Sequence, residues 1–238
     1  MHRMRHFTAI FTLTSGLMAL AASPASAALL KPGATRSYPD IAADINGEVQ
    51  FNYDEASETG IFRMTNTPYL IAGGNSSSSE YAVVPNSSDG VRKQLFSIKV
   101  DGGGNIVADA GNLYELYGTI NANGQTFSGL LLQGTPKEFG SLDLGEGLGV
   151  DIFDANIDIT GGSLAKFFGT TTYMRITPEL ESTFTGSFTG DFTALKATSN
   201  TRSYGSPEPF PIPEPTTVAV LLIGGAGLIY RQRRRRAG

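Results

Sequence analysis

The stretch LYELYGTINANGQTFSGLLLQG, residues 113–134, decides the fold class. LYELYGTIN (113–121) and QTFSGLLLQG (125–134) are rich in residues that suit a pleated, half-buried strand, and ANG (122–124) supplies a tight turn between them. The pattern predicts a β-hairpin, and the chain on either side repeats it. Upstream, QLFSIKV (94–100) alternates, and DGGGN (101–105) reads as a hairpin turn into a strand IVAD (106–109). EVQFNY (48–53) sets Val49, Phe51 and Tyr53 on one face. GIFRMTN (60–66) returns after the polar link DEASET (54–59), and YAVV (81–84) follows a serine-rich loop. Downstream come GVDIFDANIDIT (149–160), TYMRIT (172–177) and STFTGSFTGDFTA (182–194). In the last of these Phe184, Phe188 and Phe192 recur every four residues, a spacing that serves a strand or a helix; the Thr and Gly between them favour a strand. SLAKFF (163–168), between Gly162 and Gly169, predicts a helix of about two turns. About nine strands and one short helix define an all-β fold, either an antiparallel β-sandwich or a partly closed β-barrel.

The two ends have a different character. Residues 1–27 read as a secretory signal peptide with its signal helix: His2, Arg3, Arg5 and His6 are basic, Phe7 to Ala22 is apolar, and Ala25 and Ala27 present small residues to signal peptidase. Cleavage is expected after Ala27, following passage through the Sec translocon. That cleavage removes His2 and His6, the only histidines, from a chain without Cys or Trp. Ser-His-Asp and Cys-His catalysis, His- or Cys-ligated zinc, and disulfides are thereby excluded from the exported part. No cofactor motif is present. Two of the 18 basic residues lie in the leader and five close to the C-terminus. Eleven therefore face 22 acidic residues in between, a net charge of −11. Such a polyanion does not bind nucleic acid.

The chain closes with PEPTTVAVLLIGGAGLIYRQRRRRAG (213–238). Residues 216–230 form a run that, as a helix, spans about 22 Å at the standard rise, against a hydrocarbon core of about 30 Å. Tyr230 suits the interface, and Arg231, Arg233, Arg234, Arg235 and Arg236 act as a cytoplasmic stop, so a single transmembrane helix is expected. Gly224, Gly225 and Gly227 weaken that helix as a permanent anchor. Residues 199–212, with Pro207, Pro209 and Pro211, read as a stiff linker, which leaves 28–198 as the β-rich exported domain.

Pro213-Glu214-Pro215, the short apolar helix and the terminal arginine cluster together resemble the PEP-CTERM sorting signal. The resemblance covers residues 213–238, and GGSLAKFFG followed by FTGSFTGDFTA resembles the ending of β-rich proteins that carry it. It implies an exosortase that trims the chain near the triplet. The protein would pass through the inner membrane of a Gram-negative bacterium to the cell surface or an exopolysaccharide matrix, as a non-enzymatic, biofilm-associated component.

Carboxylates are the remaining chemical candidates. Asp154 and Asp158 should share a strand face with Asp151 on the other, and Glu179 and Glu181 flank Pro178. A two-carboxylate glycosidase needs such groups facing each other at about 5–9.5 Å, which neighbours on one strand do not supply; a solvated acidic face explains them. Asp101, Asn105 and Asp109 around the glycine-rich turn are calcium candidates, without EF-hand or repeat spacing and equally explained as turn formers. Tyr53, Tyr69, Tyr81, Tyr114 and Tyr117 are either sugar-stacking or core residues. A glycan- or calcium-binding β-module and a secreted glycosidase thus stand as alternatives to the matrix-protein reading.

Overall fold

The computed structural model describes residues 28–30, 38–74, 79–145, 150–178, 180, 182–204 and 210. The leader with Ala25 and Ala27, the Pro213-Glu214-Pro215 motif, the transmembrane run and the arginine cluster lie outside the described residues. Ten strands form: β1 (Asp40–Asp54), β2 (Thr59–Asn66), β3 (Pro68–Ala72), β4 (Glu80–Ala82), β5 (Lys93–Asp101), β6 (Leu113–Ala122), β7 (Gln125–Leu142), β8 (Ile152–Gly161), β9 (Thr171–Pro178) and β10 (Phe192–Ser203). One helical turn, α1 (Ala165–Phe168), joins β8 to β9.

The quoted hairpin is β6–β7. Buried and partly covered side chains alternate along β6, and Asn123 and Gly124 take positive φ of 48° and 78°. That is the two-residue turn whose twist matches the strands it joins. Every strand pairs antiparallel with its neighbours, in the order β1-β2-β5-β6-β7-β8-β9-β10, and β10 returns to β1. The result is a closed eight-stranded barrel, neither sandwich nor partly closed. Closure follows from the length of β1, which pairs with β10 from Asp40 to Phe51. Its other edge is divided: Asp40–Ala43 pairs with β3 and Glu48–Asp54 with β2. The β3–β4 hairpin therefore lies at one end of the barrel, where Val84 bridges to Thr119 of β6.

Inside, the half near the β1–β2 turn is aromatic. Phe62 lies 5.0 Å from both Phe139 and Phe153, and Phe192 stacks at 5.0 Å on Phe51. Gly60 is dictated by this packing, since a Cβ there would lie 2.3 Å from the Phe51 ring. Nearer the other end the interior turns polar: Gln94, fully buried, donates to the Tyr114 hydroxyl (3.1 Å) and to Thr201 Oγ1 (3.0 Å), while Ser199 Oγ donates to its carbonyl (2.7 Å). This network ties β5 and β6 to β10 across the lumen, and burial lifts the Tyr114 hydroxyl to a pKa of about 12 against the lowering effect of Thr201 and Gln94. Eight strands enclose a space that side chains can fill.

Several expectations change. Residues 106–109 form no strand; Ile106 makes one bridge to Val100. The expected strand at 182–194 begins only at Phe192, because the chain before it folds into the barrel mouth as a plug. Phe184 and Phe188 meet Phe153 and Phe51 there, at 5.3 Å each. A strand reaching back to residue 182 would have left those rings at the rim. The helix is one turn, not two, because its residues are spent on capping the opposite end with Phe167 and Phe168. β10 runs to Ser203, so 199–203 belong to the barrel rather than to a linker, and Phe210 packs 5.1 Å from Phe167.

Phe188→Ala removes the ring that joins the plug to Phe51 and Phe139. It is expected to cost about 3–5 kcal/mol, read as a fall in the urea midpoint with unchanged slope; a change within about 0.5 kcal/mol would show that the plug does not stabilise the barrel.

Candidate functional site

Leu142 closes β7 opposite Ile152, the first residue of β8. This register sets the next residues out, Asp143 and Asp151, across from each other at the plugged mouth. From the plug, Ser182 Oγ donates a short hydrogen bond to Asp151 Oδ2 and itself accepts from the Phe184 N–H at 3.1 Å. Asp151 also receives the Leu144 N–H, and Asp143 Oδ1 receives that of Gly145 at 2.7 Å. Asp143, Gly145, Asp151, Ser182 and Thr183 are among the residues that line a cleft of about 480 Å³ here.

Asp151 is 5 % exposed. Burial raises its pKa above the ordinary carboxylate range; the Ser182 and Leu144 donors work against this, and the Asp143 carboxyl, within hydrogen-bonding reach, adds to it. A second carboxyl this close disfavours the charged form of Asp151 in the same sense as burial does. Among the described residues Asp151 is the only side-chain acceptor of the Ser182 hydroxyl. The Asp143 and Asp151 carboxyls stand within hydrogen-bonding reach of each other, closer than the about 5–9.5 Å of a glycosidase pair.

The other sequence candidates are dispersed. Asp154 is not part of a solvated face: it is fully buried, bound by Tyr173 Oη (2.8 Å) and Arg175 Nη2 (3.2 Å). It does lie on the outer wall with Asp158, whose carboxylate is 3.8 Å from Lys137 Nζ. Glu179 and Glu181 lie outside the described residues. Asp101 Oδ1 accepts the N–H groups of Gly103 and Asn105, both at 2.9 Å, and the Asn105 amide contacts both carboxylate oxygens. Burial acts upward on Asp101, but these donors outweigh it and hold its pKa below the ordinary range. Asp109 Oδ1 accepts the Gly111 N–H at 2.7 Å. All three calcium candidates therefore serve their own turns, and among the described residues no three His, Cys, Asp or Glu side chains converge. Tyr114 and Tyr81 are core residues, Tyr53 packs against the core, Tyr117 lies half-covered beneath Lys93, and Tyr69 is exposed. Asp143 and Ser182 were not legible as site residues, because only the β7–β8 register and the inward fold of the plug bring them to Asp151.

No family model, no curated protein and no solved structure matches this chain.

A raised carboxyl pKa in the folded state means that the unfolded chain releases its proton first as pH rises. The contribution of Asp151 to stability is then fully present below pH of about 4 and is lost as pH climbs through the folded pKa. Asp151→Asn should flatten that decline, raising Tm at pH 7 relative to the parent while leaving it little changed at pH 3.5; an equal shift at both pH values would rule out a raised Asp151 pKa.

Proposed function

We propose that the protein is an exported, non-enzymatic component of the cell surface or extracellular matrix. A temporary C-terminal membrane helix would hold it in the inner membrane until an exosortase trims it near Pro213-Glu214-Pro215. The carrying observation is the pairing of two termini of opposite design: a leader ending in Ala25-Ser26-Ala27, and a proline triplet followed by a helix too short and glycine-rich to anchor firmly, stopped by Arg231, Arg233, Arg234, Arg235 and Arg236. The barrel supports the reading in two ways. Its lumen is taken up by the aromatic cluster and the Gln94 network, and its Asp143–Asp151 pair stands closer than the separation of a two-carboxylate glycosidase.

A second reading, a glycan-binding module, is favoured by the outer wall of β2 and β5. Two shallow grooves of about 320 and 300 Å³ share Ile61, Arg63 and Lys99 there. Ile61 is 43 % exposed, and among the described residues neither cation forms a close ion pair. Asp54, which also lines a groove, has its pKa lowered by the Ser57 and Ala56 donors, and Lys99 is near enough to add to that lowering. The apolar side chain suits a sugar face, and the cations suit carboxylates on an acidic polysaccharide.

Mass spectrometry of the protein recovered from outside its native host tests the first reading. Chains beginning at Ala28 and ending near residue 215 are expected, and intact chains reaching Gly238 would defeat it. For the second, retention on an immobilised uronate polysaccharide should fall at least about tenfold in Arg63→Ser/Lys99→Ser, the loss of two charge-assisted contacts; equal retention of the variant and the parent would remove the groove from consideration.

A further inference from the structure

Asp154 poses a problem of placement. Its neighbours Phe153 and Ala155 face the lumen, so Asp154 projects from the outer wall, where a carboxylate belongs in water. Its side chain is nevertheless completely buried. What covers it is the segment Ala28–Leu30: the Leu30 N–H donates to Asp154 Oδ1 at 3.0 Å, while Tyr173 and Arg175 occupy Oδ2. The wall is shaped for this segment. Gly140 sits opposite Asp154 in the β7–β8 ladder. A methyl group there would come within 2.5 Å of the Ala28 carbonyl oxygen and 2.8 Å of Asp154 Oδ1. The Gly140 backbone is ordinary strand without positive φ, so the missing side chain makes room rather than relieving strain. On an unoccupied wall water would donate to Asp154 Oδ1; here the docked Leu30 N–H takes that place.

We propose that the outer wall at Gly140 and Asp154 is an acceptor site for the chain's own residues 28–30, and that filling it shields the adjoining Ala27–Ala28 bond, so that leader removal must precede completion of the barrel. The inference rests on the leader reading above. A peptidase takes the residues on both sides of its scissile bond as an extended strand, and the three residues on the far side of this bond are held by the wall instead. Cleavage of a folded chain then waits for local opening of the segment, which scales the rate by the open fraction.

The full-length chain, with its leader, is purified in detergent and treated with signal peptidase, folded and in urea at a concentration the peptidase tolerates, and leader loss is followed by mass spectrometry. The folded parent should be cut at least about tenfold more slowly than the unfolded chain. Folded Gly140→Ala, which displaces the segment while its lumen-facing residues are untouched, should be cut at nearly the unfolded rate, its barrel verified by circular dichroism and a cooperative melt. Leu30→Pro, which lacks the N–H donor, should behave likewise. A folded parent cut as fast as the unfolded chain overturns the inference, as do variants as resistant as the parent. A chain that is cut in neither state overturns the leader reading itself.

Discussion

Pairing of the first strand with the last is the constraint on which the rest of the molecule depends. A sheet of this length left open would present two long unpaired edges. The ladder between β1 and β10, tied also by the Arg202–Asp40 ion pair at 3.2 Å, removes both at once. Closure then dictates the interior. Eight strands leave a lumen that must be filled by side chains, and this chain fills it with phenylalanines at one end and a hydrogen-bonded network centred on Gln94 toward the other. The network is a safeguard on register: Gln94, Ser199 and Thr201 satisfy one another only when β5 and β10 stand at the heights observed, and a slip of either strand would strand buried polar atoms.

A closed wall also needs closed ends, and the loops are spent on that task. Phe184 and Phe188 stopper one mouth, while α1 and Phe210 cover the other. This accounts for the location of the candidate chemistry. With the lumen filled and the mouths plugged, concave surface among the described residues lies at the rim, where Asp143 and Asp151 meet the plug, and on the outer wall around Ile61, Arg63 and Lys99.

The docked segment 28–30 adds a link between the barrel and the ends of the chain. It makes a wall residue, Asp154, behave like a core residue, and it does so with backbone that the leader reading places directly after the cleavage point. Export, processing and folding then become successive demands on one short piece of polypeptide.

Much of this was legible in the sequence. Period-two alternation is a local property, so β2, β5, β6 and β9 stood out nearly residue for residue, and Asn123-Gly124 marked its own turn because only such residues take two positive φ values easily. The four-residue spacing of Phe184, Phe188 and Phe192 suited one strand face, yet only Phe192 lies on a strand; the three rings meet because the chain before Phe192 folds back into the mouth. An all-β body and two termini of contrasting chemistry are written in the order of residues, because hydrophobic period, turn residues and charge runs are set by neighbours along the chain. That the sheet closes, that Asp143 meets Asp151, and that Asp154 is buried from outside became visible in the folded chain alone. Each of these depends on register between distant strands or on a loop folding back, and a shift of one residue would put the same side chains on opposite faces.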